Sequence, residues 1–176
     1  SLKIESKLGE GSTFIVEIPF DEPTIKERDI VMNPLIDEHG SGLEFKGKKV
    51  LLAEDNALNA EIAMELLKSI GLIVDWAENG QVAVDKFESS SVNTYFAVFM
   101  DMQMPVMDGL EATRAIRKSD REDNDILIFA MTANTLTKDR QDCHDAGMDG
   151  YISKPINLKE ISSALQENII AKKQST

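Results

Sequence analysis

Between Lys48 and Lys172 the sequence alternates five times between a short, nearly uniform apolar run and a stretch with helical spacing. Few folds accept that pattern. The runs are Val50 to Ala53, Leu72 to Val74, Tyr95 to Met100, Asp125 to Met131 and Tyr151 to Ser153. Runs apolar at every position belong to strands covered on both faces, and helices between them make the strands parallel. Leu58, Ile62, Leu66 and Ile70 are expected on the buried face of the first helix, and Val82, Ala83 and Phe87 on that of the second. Leu110, Ala112 and Ile116 mark the third helix, Leu136 to Ala146 a polar fourth, and Leu158, Ile161, Leu165 and Ile169 the fifth. The fold class is therefore α/β, an open, doubly wound, five-stranded parallel sheet. Right-handed crossovers then bring the C-terminal ends of all five strands to one edge, where open α/β sheets bind ligands.

The residues delivered to that edge carry chemistry. Glu54 and Asp55 follow the first strand, Asp101 ends the third, Thr132 ends the fourth, and Lys154-Pro155 follows the fifth. Three carboxylates crowded together repel, and a counter-charge is needed to keep all of them ionised. A hard divalent cation supplies it, and Mg²⁺ favours a few carboxylates, a carbonyl and retained waters. A nucleophilic carboxylate beside a metal, an ammonium and a hydroxyl suits phosphoryl transfer through an aspartyl phosphate.

Four runs carry a family resemblance in addition: E-D-N (Glu54 to Asn56), D-M-Q-M-P-V-M-D-G (Asp101 to Gly109), M-T-A-N (Met131 to Asn134) and S-K-P-I (Ser153 to Ile156). In order and spacing they resemble the receiver domains of two-component signalling, over the whole of residues 48–172. The resemblance implies a flavodoxin-like sheet of strand order 2-1-3-4-5, with Asp101 as the phosphoacceptor. It implies Mg²⁺ (or Mn²⁺) held directly by Asp55 and Asp101, by the backbone carbonyl of Gln103, and through water by Glu54. Thr132 and Lys154 would grip the phosphoryl oxygens, and the Lys154-Pro155 bond would be cis. A switch is implied as well. Thr132 moves toward the phosphoryl group, Tyr151 turns inward, and the surface of the fourth helix, fifth strand and fifth helix changes state. Gln103 and Asn134 occupy positions that tune the lifetime of the phosphoaspartate in this family.

Residues 1–20 alternate apolar and polar positions around a turn at Gly9-Glu10-Gly11-Ser12, which reads as a β-hairpin. An isolated hairpin is marginal in water, so this one calls for a partner sheet outside the chain. Its L-K-I-E-S-K-L-G-E-G-S-T-F-I-V-E-I-P-F resembles the last two strands of the ATP-binding domain of sensor histidine kinases. Residues 21–47, with Pro23, Pro34 and Asp37-Glu38-His39-Gly40-Ser41-Gly42, read as a linker with a short helical turn around Ile25 to Met32. The order hairpin, linker, receiver implies the C-terminal portion of a hybrid histidine kinase. Its partners would be a histidine-phosphorylated kinase domain or a histidine-phosphotransfer protein, and its location cytoplasmic, with a parent that can be membrane-anchored.

Charge and composition narrow the classes. A net charge of −12 over 176 residues without a Lys/Arg cluster argues against nucleic acid as partner. No apolar run approaches the ~18 residues of a membrane span. The single cysteine, Cys143, excludes an internal disulfide and reads as an apolar filler on a helix. His39 and His144 read as a loop residue and an exposed helix residue. Three other functions compete: a phosphatase working through an aspartyl phosphate, a degenerate receiver that only binds, and a free-standing response regulator. Phosphatases of the haloacid dehalogenase type place a second Asp two residues after the nucleophile, where this chain has Gln103.

Overall fold

The computed structural model describes residues 2–7, 9, 11–17, 45–133 and 137–174. They fall into two units, each described by itself. The first is an antiparallel hairpin of β1 (Leu2–Lys7) and β2 (Gly11–Val16), in which Leu2 pairs with Val16 and Ile4 with Phe14. Side chains alternate across a strand, so Ile4, Phe14 and Val16 share one face. Ile4, Phe14 and Val16 are exposed.

The second unit alternates strand and helix: β3 (Lys49–Ala53), α1 (Ala57–Ser69), β4 (Ile73–Ala77), α2 (Gly80–Ser89), β5 (Ala97–Asp101), α3 (Gly109–Lys118), β6 (Leu127–Thr132), α4 (Thr137–Ala146), β7 (Gly150–Ser153) and α5 (Leu158–Gln174). All pairs within the sheet are parallel, and its order is β4-β3-β5-β6-β7, the 2-1-3-4-5 arrangement expected. The alternation of side chains across the central strands divides the core in two. Leu51, Ala53, Val98, Met100, Ile128 and Ala130 pack against α2, α3 and α4 through Phe87, Ile116 and Cys143. Val50, Leu52, Ala97, Phe99, Leu127, Phe129 and Met131 face α1 and α5 through Leu67, Ile161 and Leu165. Phe99 and Phe129 stack with ring centroids 5.7 Å apart. Phe45, assigned by the sequence reading to the linker, is buried in this second cluster.

Two expectations need correction. The buried face of α1 is Ala60, Ala63 and Leu67, whereas Leu58 and Ile62 are 65% and 52% exposed. Both stripes have helical spacing, and the two alanines, with the smaller side chains, let α1 lie close against the sheet while Leu66 and Ile70 are half-buried at its margin. The second strand runs to Ala77 instead of stopping at Val74. A charge normally ends an apolar strand, but Asp75 is satisfied where it stands. It pairs with Lys86 and with Lys49 (3.0 Å), and accepts a hydrogen bond from the Tyr95 hydroxyl (2.8 Å). The turn proposed at 25–32, His39, Leu136 and the side chain of Ile169 lie outside what is described. No helix among the described residues is long and apolar enough to cross a membrane.

Burial alone would raise the Asp75 pKa, but the hydrogen bonds from Lys86, Lys49 and Tyr95 outweigh it and hold the carboxyl at about 2. Its folded value thus lies below its ordinary 3.8, so the stabilisation is complete above the unfolded value and is lost as pH falls through the folded one. Asp75→Asn is expected to lower unfolding free energy by about 1–2 kcal/mol at neutral pH. In urea denaturation the difference from the unaltered chain should close as pH drops from about 4 to about 2.

Candidate functional site

The crevice at the C-terminal edge of the sheet has a volume of about 610 Å³. Glu54, Asp55, Asp101, Gln103, Thr132 and Lys154 all line it. The sequence-predicted set is therefore brought together, except Asn134, which lies outside the described residues, and Tyr151, which does not line the crevice. Register explains the convergence. Ala53 pairs with Met100, so Glu54 and Asp101 leave adjacent strands at the same level. Met131 pairs with Asp101 and Ser153 with Thr132, which carries the edge across to Lys154.

One oxygen from each of Glu54, Asp55 and Asp101 lies within 4.8 Å of the others. Glu54 and Asp101 are buried, while Asp55 is exposed. The Lys154 ammonium is shared between the two buried acids, 2.7 Å from Glu54 Oε2 and 2.8 Å from Asp101 Oδ2. Burial pushes the Asp101 pKa above its ordinary value; the Lys154 hydrogen bond offsets this in part, and the Glu54 charge adds to it. Burial by itself would lower the Lys154 pKa, but its bonds to Asp101 and Glu54 reverse the direction and raise it. The lysine therefore stays charged. One ammonium against three carboxylates leaves a surplus of negative charge, and this donor set of hard oxygens fits a divalent cation.

The loop after Asp101 is folded tightly around it. The Gln103 backbone N–H donates to Asp101 Oδ1 at 3.4 Å, and Gly109 N–H donates to the Met102 carbonyl at 3.2 Å. A Cβ at Gly109 would sit 2.2 Å from the Asp101 carbonyl oxygen, and one at Gly80 2.5 Å from that of Met107. Only glycine permits those approaches. Between them Val106 adopts φ 70°, in a γ-turn closed by Met107 N–H on the Pro105 carbonyl at 2.8 Å. A β-branched residue in that region stores roughly 1–2 kcal/mol of strain. The Lys154-Pro155 peptide is cis.

Around the acids lie Asn56, quoted in the E-D-N run without a role of its own, and Asn59 and Trp76, which the sequence reading passed over. Asn56 caps α1 by accepting from the backbone N–H groups of Leu58 and Asn59 (3.0 and 3.2 Å). The Asn59 amide donates to Glu54 Oε1 at 2.9 Å, and the Trp76 indole donates to the Glu54 carbonyl at 2.8 Å. The available signal was the position of Asn59 in the first turn of a helix that starts beside the acid pair. At the other side of the sheet Tyr151 is 42% exposed, with the Arg140 guanidinium 4.3 Å over its ring. Cys143 is buried, its Sγ 3.6 Å from Met102 Sδ, and His144 is exposed.

The fold and the acidic crevice agree with what comparison with known proteins finds. Residues 50–166 match the response regulator receiver domain family, and the chain belongs to it. It is a receiver domain of two-component phosphorelay signalling. Among curated relatives, hybrid signal transduction histidine kinase K of Dictyostelium discoideum is 33% identical over 94% of this chain, which spans 14% of that protein. Histidine kinase 5 of Arabidopsis thaliana is 38% identical over 70% of this chain and 16% of its own length. A solved receiver domain of a sensor histidine kinase from Pseudomonas aeruginosa PAO1, with magnesium coordinated in its active-site cleft, is 38% identical. It has a TM-score of 0.62 and covers 69% of this chain and 96% of that one. A receiver domain from Saccharomyces cerevisiae, co-crystallised with a histidine phosphotransfer signalling protein, is 30% identical with a TM-score of 0.61, over 70% of this chain and 89% of that one.

The raised pKa of Asp101 has a consequence for stability. Its folded value lies above the ordinary 3.8, so the ionised side chain disfavours the native state. That penalty grows as pH rises through the unfolded value and is complete above the folded one. In the presence of a metal chelator, Asp101→Asn is expected to be more stable than the unaltered chain by about 1 kcal/mol at pH 7. The gain should vanish below about pH 4, as read by urea denaturation at the two pH values.

Proposed function

We propose that Asp101 is the acceptor of a phosphoryl group in a relay that begins at a histidine. An Asp101 carboxylate oxygen attacks phosphorus, the P–N bond of a phosphohistidine breaks, and its electron pair returns to the imidazole. The observation that carries this reading is the Lys154 ammonium, 2.8 Å from Asp101 and 2.7 Å from Glu54. It is poised to neutralise charge that develops on phosphoryl oxygens. Asp55 and Asp101, the Gln103 carbonyl and, through water, Glu54 would hold Mg²⁺ (or Mn²⁺), whose chemistry is to neutralise and orient the transferring group. Thr132, half-buried at the end of β6, would donate its hydroxyl to a phosphoryl oxygen. Gln103 and Asn134 would tune hydrolysis of the product.

The output would be a shift of the α4–β7–α5 surface. Tyr151 stands outward beneath Arg140, and movement of Thr132 toward the phosphoryl group would free space for its ring. Residues 1–20 would be the end of a kinase ATP-binding domain, 21–47 a linker and 48–172 the receiver of a cytoplasmic hybrid-kinase segment. The exposed face Ile4, Phe14, Val16 and the hybrid kinases among the relatives support that assignment. The donor, or the next acceptor, would be a histidine-phosphotransfer domain. In support, Leu58 and Ile62 project from one side of α1, one turn apart and exposed, as an apolar contact for a partner helix.

Two arms test the reading. With Mg²⁺, the chain should take up phosphate from a phosphorylated histidine-phosphotransfer protein and from acetyl phosphate, and Asp101→Asn should abolish both. Leu58→Asp with Ile62→Asp should slow transfer from the protein donor at least ~10-fold, in line with loss of interface anchors, and leave acetyl phosphate uptake within ~2-fold. Uptake by Asp101→Asn equal to that of the unaltered chain would sink the proposal.

A further inference from the structure

Glu54 is the most enclosed acid of the crevice, 1% exposed, and its carboxylate is gripped from two directions. Lys154 Nζ donates to Oε2 at 2.7 Å, and the Asn59 side-chain amide donates to Oε1 at 2.9 Å. An ionised carboxylate only accepts hydrogen bonds, so the nitrogen of the Asn59 amide must be the atom that faces it. The two grips differ in kind. Lys154 also pairs with Asp101 at 2.8 Å and, on the reading above, turns to the phosphoryl oxygens during the reaction. Asn59 has no such second duty. Its backbone is fixed in the first turn of α1, with its N–H on the Asn56 side chain at 3.2 Å, and its amide reaches back five residues to Glu54.

A glutamate has one more rotatable bond than an aspartate, so a Glu in this position needs a fixed partner to keep its carboxylate aimed. An acid held by Lys154 alone would be released when the lysine moved. The Glu54 main chain is anchored separately, by the Trp76 indole on its carbonyl at 2.8 Å. That leaves Asn59 as the group that orients the side chain. We infer that Asn59 is a positioning residue of the phosphoryl-transfer site: it holds Glu54 in the orientation from which the acid serves a bound divalent cation, independently of Lys154. The inference rests on the proposed metal-binding role of Glu54. Groups that orient ligands in this way affect metal affinity by roughly 10–100-fold when removed.

The test is a titration of the full chain with Mn²⁺, counting free ion by its electron paramagnetic resonance signal. Four forms are compared: the unaltered chain, Asn59→Ala, Glu54→Ala and the double variant. Asn59 is exposed, and retained circular dichroism confirms that its replacement folds. Asn59→Ala is expected to weaken Mn²⁺ binding about 10-fold. In the Glu54→Ala background the same change should cost less than ~2-fold, because the residue acts through Glu54. Unchanged affinity in Asn59→Ala, or an equal loss in both backgrounds, overturns the inference while leaving the metal site intact. Failure of the unaltered chain to bind Mn²⁺ overturns the metal reading and this inference with it.

Discussion

The structure depends on how one lysine resolves a conflict among acids. Glu54 and Asp101 leave neighbouring parallel strands at the same level, and both are buried. Two carboxylates in such a place repel, and desolvation adds to the cost. Lys154, 100 residues from Glu54 in sequence, bridges the pair with contacts of 2.7 and 2.8 Å. Its long side chain reaches across from the end of β7, which the 2-1-3-4-5 strand order places within range. The sheet topology, the shared ammonium and the surplus charge that invites a cation are thus one arrangement seen at three scales.

Function and stability pull against each other at this edge. The Asp101 carboxyl is held above its ordinary pKa by burial, and the loop beyond it is strained at Val106 and closed by Gly80 and Gly109 at distances no side chain would tolerate. The two apolar layers offset these costs. Phe99 and Phe129 stack on one face of the sheet, while Phe87 and Ile116 fill the other. Asp75 shows the opposite logic away from the crevice: Lys86, Lys49 and Tyr95 surround it with donors, and its pKa falls to about 2. An acid drawn partly or wholly out of water is costly or stabilising according to its partners.

Much of this was legible in the sequence because strand-end residues inherit their position from topology. Once five alternations define a doubly wound sheet, Glu54, Asp101, Thr132 and Lys154 must meet at one edge. The rest required side-chain detail. Leu58 and Ile62 fit a helical stripe as well as Ala60 and Ala63 do, and hydrophobicity ranks the leucine stripe higher. Small side chains, which permit close helix–sheet approach, decided the other way. The extension of β4 through Asp75 was hidden because its three partners come from separate parts of the chain. Asn59 offered only its place in the first turn of the helix beside the acid pair; the 2.9 Å contact with Glu54 is what gives that place a role.

The most direct test of the account is chemical trapping of the phosphorylated residue. After incubation with a phosphohistidine donor and Mg²⁺, borohydride reduction converts an aspartyl phosphate to homoserine, which peptide mass spectrometry locates in the chain. Homoserine is expected at position 101 alone. Homoserine at Asp55 or elsewhere, or phosphate found instead on His144 or a hydroxyl, would contradict it.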